Sequence, residues 1–101
     1  MSAEPTLAAF SGVVGDAFTV GVSPELILTL RLTGATALRS TRPGTAHPGE
    51  PGFALEFAGP PDPVLPQAVY RFSHASLGTH DIFIVPVGRD GDGTTYEAIF
   101  N

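Results

Sequence analysis

The sequence predicts a mainly β domain, an antiparallel β-sandwich or small open barrel of about six strands with one short N-terminal helix. Three observations point there. Ten Pro and twelve Gly cut the 101 residues into pieces too short for long helices. The stretch "LILTLRLT", residues 26–33, alternates leucine with β-branched or polar side chains at the period of a strand. Near the end, "GRDGDGT" sets Asp-Gly between two hydrophobic runs, a strong local signal for a hairpin turn.

The elements follow in order. Thr6 is placed to cap a short helix carrying Leu7, Phe10 and Val14 at helical spacing, with Gly12 and Gly15 ending it. "AFTVGV" then alternates Phe18, Val20 and Val22 on one strand face. In "LILTLRLT", Leu26, Leu28, Leu30 and Leu32 share the core face, and Ile27, Thr29, Arg31 and Thr33 share the other. "FALEFA" points Phe53, Leu55 and Phe57 inward and Glu56 outward, where pairing with the leucine strand would bring Glu56 near Arg31. "GPPDPVLPQ" crosses the fold as an irregular segment, with Leu65 as its anchor in the core. The closing "TYEAIF" puts Tyr96, Ala98 and Phe100 on one face. With one charge and no Pro, "YEAIF" is expected either inside the sheet or joined to a partner.

The segment "AVYRFSHASLGTHDIFIVPV" reads as a hairpin with a three-residue connection, Ser76-Leu77-Gly78, in which Gly78 takes the left-handed conformation. That register pairs Phe72 with Ile82 and Tyr70 with Ile84 on one face, and Arg71 with Phe83 and Ser73 with Asp81 on the other. It also sets His74 directly across from His80.

Composition bounds function. The chain, 1–101, has the length of one domain, and its hydrophobic share of 43% against 15% charged residues argues for a packed core. Ten acidic residues against five Lys and Arg give a net charge of −5, so neither nucleic acid nor an anionic membrane surface is an expected partner. Cys is absent, which removes disulfide and thiolate chemistry. The opening "MSAEPTLAAF" lacks a positive leader, and no apolar run reaches membrane-helix length. A cytoplasmic location is the default expectation, with export by a leaderless route as the alternative.

Three candidate sites present themselves. His74 and His80 are weak candidate metal ligands, since cross-strand neighbours come close enough to share an ion; with Asp81 on the opposite face and His47 in a distant loop, the reading as two rim histidines beside a turn is preferred. Asp90 and Asp92 resemble a fragment of a calcium loop, but Glu97 falls too early for its bidentate acid, and the turn reading is preferred. Residues 39–52, "RSTRPGTAHPGEPG", form a long Pro/Gly-rich loop that carries Arg39, Arg42 and His47. These three, together with Tyr96 and Phe100, are the candidate contact residues. Ser11, Ser40, Ser73 and Ser76 sit in no nucleophile elbow, and no matched acid–base pair is legible. No catalytic residue and no cofactor are expected.

"DPVLPQAVYRFSHASLG", "IFIVPVGRDGDGTTYEAIFN" and "VGDAFTV" together resemble a small bacterial family of domains of unknown function. Its members carry a VLPQ-x-x-Y segment, an L-G turn, a VPVG stretch and a YEA-(I/V)-F-N ending. The resemblance covers the first strand and nearly all of residues 60–101 but none of the 39–52 loop. It implies that Pro66, Gly78, Pro86 and Gly88 set backbone geometry and that Tyr70, Tyr96 and Phe100 pack. Members are met near genes for fibre proteins with phage-tail-collar domains, so the resemblance further implies a part in building or decorating an extracellular or phage-like appendage. The expected function is thus a non-enzymatic interaction or structural module that meets protein partners or copies of itself. The alternative is a barrel that binds a small molecule or metal, with His74, His80 and Tyr70 near its mouth.

Overall fold

The computed structural model describes residues 6–38 and 52–100. They form one short helix, α1 (Leu7–Ser11), and six strands: β1 (Ala17–Ser23), β2 (Leu26–Ala37), β3 (Phe53–Gly59), β4 (Ala68–His74), β5 (Gly78–Asp90) and β6 (Gly93–Phe100). All neighbours are antiparallel, and the order β1-β2-β3-β6-β5-β4 closes on itself as a barrel. The domain is therefore a closed barrel, not a sandwich or an open one. Closure comes from β1 pairing with β4 through Thr19↔Ser73, Val20↔Phe72 and Gly21↔Arg71. Strand β6 lies between β3 and β5, so "YEAIF" is internal to the sheet.

Six strands close only if each is strongly coiled, and irregularities in the ladder supply the bending. The register shifts between Gly21 and Ser23, between Leu32 and Gly34, and between Pro86 and Gly88. An extra residue on one strand bends it and increases its twist. At the second of these, Thr33 turns its hydroxyl onto Glu56, donating at 3.1 Å to the backbone carbonyl and lying 3.0 Å from Oε1. Glu56 thus faces Gly34 and bonds Thr33, while Arg31 is opposite Ala58; the expected Arg31–Glu56 proximity gives no ion pair.

The alternation read from the sequence selects the interior. Phe18 and Val20 of β1, Leu30 and Leu32 of β2, Phe53, Leu55 and Phe57 of β3, Phe72 of β4, Ile82 and Ile84 of β5, and Tyr96 and Ala98 of β6 are buried together. Each large side chain removed from water stabilises by roughly 1.5–3 kcal/mol. Ile27, on the opposite face of β2, remains 64% exposed.

Each barrel end has its own cover. Thr6 caps α1 by accepting the Ala9 N–H at 3.1 Å, and Gly12 ends the helix as its C-cap; Val14 lies beyond it and is exposed. Five residues cannot hold a helix alone. Its anchor is Phe10, 1% exposed, whose ring lies 6.0–6.2 Å from those of Phe18, Phe53 and Phe100. The chain then reaches β1 through left-handed Gly15 (φ 99°), whose N–H donates to Leu32 O, while Leu32 N–H donates to Asp16 O. At the other end, the 60–67 linker folds Leu65 inward, where its N–H donates to the Tyr96 hydroxyl at 2.8 Å.

The last turn has the predicted position. Asp90 pairs with Gly93, and the Asp90 carboxylate accepts the N–H groups of Asp92 and Gly93 at 2.8 and 3.0 Å. That carboxylate is engaged with its own turn, as the hairpin reading requires. Arg89 ties the same hairpin to the linker, donating to Pro61 O at 2.9 Å and to Asp62 Oδ1 at 2.7 Å.

Candidate functional site

The β4–β5 hairpin holds the chemistry-bearing residues, and its register differs from the expected one. The turn is Ala75-Ser76-Leu77, and Gly78, left-handed at φ 76°, begins β5 opposite His74. Phe72 therefore faces His80, Tyr70 faces Ile82 and Ala68 faces Ile84. A displacement of two residues preserves every side chain's face, because the strand period is two. The core assignment survives and the pairs change. Ser73 meets Thr79, with their hydroxyls 3.3 Å apart, and Arg71 meets Asp81.

His74 is consequently not across from His80. Its side chain, 6% exposed, enters the barrel end beside the Phe18 ring, with centroids 4.8 Å apart. Nδ1 accepts two backbone N–H groups, from Ser76 at 3.0 Å and Leu77 at 3.2 Å. A nitrogen accepting two donors carries no proton, so Nε2 holds it and donates to Asp16 Oδ2 at 2.9 Å. Both ring nitrogens are occupied, and the imidazole presents no lone pair to a metal or a substrate proton. In effect His74 fastens the turn of one hairpin to the segment leading from α1. Half-buried His80 donates from Nε2 to Leu77 O at 2.7 Å, bracing the same turn. Among the described residues, no three His, Asp or Glu side chains are grouped to hold a metal ion.

The other candidates divide. Arg39, Arg42 and His47 lie outside the described residues. Tyr96 is fully buried and satisfied by Leu65, so it offers no contact surface. Phe100 stacks on Phe53 at 4.6 Å and helps to close the helix end. Tyr70 is half-buried and donates to Pro66 O at 2.7 Å, strapping the linker down. Burial raises the Tyr70 hydroxyl above its ordinary pKa of 10.0, and the nearby Tyr96 adds to the rise.

Outside the hairpin the pattern is different. Val69 pairs with Phe83 on the outward face, and they are 59% and 50% exposed. One step along the strands, Arg71 Nε lies 3.5 Å from Asp81 Oδ1, with side chains 70% and 63% exposed. The next step is Ser73 with Thr79. Strand β1 continues this face with Thr19 and Gly21, which add no charge. Three rows of matched chemistry thus lie side by side: apolar, ionic and hydroxyl. The sequence placed Phe83 outward but gave no reason to single out Val69. Asp16, the partner of His74, was invisible for a different reason: 58 positions separate the two.

No helix among the described residues is long and apolar enough to cross a membrane. No curated protein and no solved structure matches the chain. The profile of one family, a domain of unknown function (DUF6916), matches residues 5–100. It spans the helix, all six strands and the linker, and the chain belongs to that family.

Proposed function

We propose that this domain is a non-enzymatic protein-interaction or structural module, working through the outside of its barrel. One observation carries the reading: Val69 and Phe83 stand as a directly paired apolar couple on the outer face while the interior is filled by side chains. A small barrel packed in this way has no lumen for a ligand. The polar groups that invite chemical interpretation are turned to structural ends, with His74 and His80 bonded to their own turn and Asp90 to its own loop. The small-molecule or metal alternative draws less support, because His74 has no free nitrogen.

The setting we propose is assembly of a fibre or phage-tail-like structure. It rests on the resemblance of the VLPQ, VPVG and YEAIFN segments to domains met near fibre genes. The test is affinity purification of the tagged chain from its native host, alongside a Phe83→Asp variant. The reading expects a defined partner protein, or further copies of the chain, with the wild type and loss of it with the variant. A strict monomer that retains nothing would count against it.

A further inference from the structure

We propose that the outer face of the β4–β5 hairpin binds the same face of a second copy, giving an isologous dimer with its two-fold axis parallel to the hairpin and midway between the strands. This rests on the interaction-module reading and names its partner. The argument is charge complementarity. An isologous contact requires that if one residue meets another, the reverse also holds. Rotation about such an axis lays β4 of one copy over β5 of the other at the same level. Each outward residue of β4 then meets the copy of its own cross-strand partner.

Those partners are matched row by row. Arg71 would meet the second copy's Asp81, and Asp81 its Arg71; Val69 would meet Phe83, and Ser73 would meet Thr79. A two-fold across the strands at the ionic row would instead bring Arg71 onto Arg71 and Asp81 onto Asp81, which is repulsive. Within one chain the ionic contact is loose, a single Nε–Oδ1 approach of 3.5 Å between exposed side chains. It leaves the guanidinium Nη donors available for a carboxylate arriving from outside. The chain carries a net charge of −5, which opposes association elsewhere on its surface. The three paired rows carry one charge of each sign and are neutral, and Glu97 of the flanking β6 lies beyond them, opposite Val85. Face-to-face sheets pack at about 10 Å with strands within about 30°, which lets Phe83 and Val69 interdigitate. Curvature restricts the contact to the hairpin and its flanks, less than the ~800 Å² per partner of a stable complex, so the association expected is weak and reversible.

Sedimentation velocity over a concentration series to about 1 mM tests the geometry directly. Arg71→Asp makes the face wholly acidic, and Asp81→Arg makes it wholly basic. Each variant alone is expected to weaken self-association by about tenfold or more, while an equimolar mixture forms a one-to-one heterodimer. Phe83→Ser is expected to weaken it similarly; being outward and uncharged, it serves if a charge variant fails to fold by circular dichroism. Self-association that persists unchanged in the variants, or a mixture that stays monomeric, overturns the proposal. So does a wild type that is monomeric throughout. In that last case, a different protein purified from the native host and lost with Phe83→Asp preserves the interaction-module reading, whereas an empty purification removes both.

Discussion

The backbone N–H of Leu65 donates to the Tyr96 hydroxyl at 2.8 Å inside the barrel, joining an irregular linker to a central strand. The bond reconciles two demands. A proline-rich crossing segment must pass over the barrel end, and its buried N–H groups must still find acceptors. Tyr96 is fully buried, so the hydroxyl supplies what water cannot.

Replacing Tyr96 with Phe keeps the ring and deletes the acceptor. The orphaned Leu65 N–H should cost about 1–3 kcal/mol, read as a lower urea midpoint with an unchanged slope. Leu65→Ala, which removes the anchor itself, should cost about 2–5 kcal/mol. A Tyr96→Phe variant as stable as the wild type would show that the linker is held by packing alone.

His74 gives a prediction about a proton. Its ring should be the neutral Nε2–H tautomer, with Nδ1 accepting from Ser76 and Leu77, as resolved in nitrogen NMR of the imidazole. His74→Ala would leave the half-buried Leu77 N–H without its acceptor and remove the ring packed beside Phe18, and should destabilise by about 1–3 kcal/mol. Zinc should leave the unfolding temperature unchanged, where a ligand at 100 times its dissociation constant would add about 2.7 kcal/mol.

Glycines separate by what surrounds them. A Cβ on Gly93 would lie 2.5 Å from the carbonyl oxygen of Gly59, and one on Gly59 would strike the Leu30 side chain. Gly93→Ala must move backbone and should cost at least about 1–3 kcal/mol, whereas a Cβ on Gly21 meets nothing within 4 Å and Gly21→Ala should be near neutral or stabilising. Thermal unfolding of the two variants side by side is the measurement.

Tyr70 supplies the pH dependence. Its folded-state pKa is raised above the ordinary 10.0 by burial first and by Tyr96 second. The neutral phenol is therefore the form the fold prefers. Its contribution is fully present below pH 10.0 and is lost as pH climbs through the raised value, because the unfolded chain deprotonates first. The phenolate cannot donate to Pro66 O, so the linker strap is lost as well. Tyr70→Phe should flatten the alkaline decline in stability by one proton's worth of slope; an identical decline would assign that loss to other groups.

Much of this fold was legible because strands advertise their faces. Leu30 and Leu32 of β2 and Phe53 and Phe57 of β3 went inward where alternation put them, Leu26 and Leu28 are only half-buried, and Asp90 formed its turn. Gly78 adopted the left-handed conformation expected of it, yet as the first residue of β5 and not the last of the turn. Local pattern fixes which side of the sheet a residue occupies, but a two-residue slip is silent in that pattern. His74 favours the observed register: its ring gathers the Ser76 and Leu77 N–H groups into a three-residue turn that starts one position earlier than expected. Closure was illegible for a related reason: the β1–β4 pairing joins residues some fifty positions apart, and neither strand carries a mark of its partner. Of the candidate surface, alternation placed Phe83 outside, but the Arg71–Asp81 alignment depended on the register itself.

The β1–β4 seam has one last consequence. Its ladder records three residue pairs, the shortest join in the ring, and it joins strands some fifty positions apart in the chain. Loop-closure entropy makes such a join late to form and early to part. Once parted, two bare strand rims would stand open to the rims of another molecule, a hazard the intact cylinder removes by having no beginning and no end. The domain's safety from fibril-like stacking thus hangs on its briefest run of hydrogen bonds.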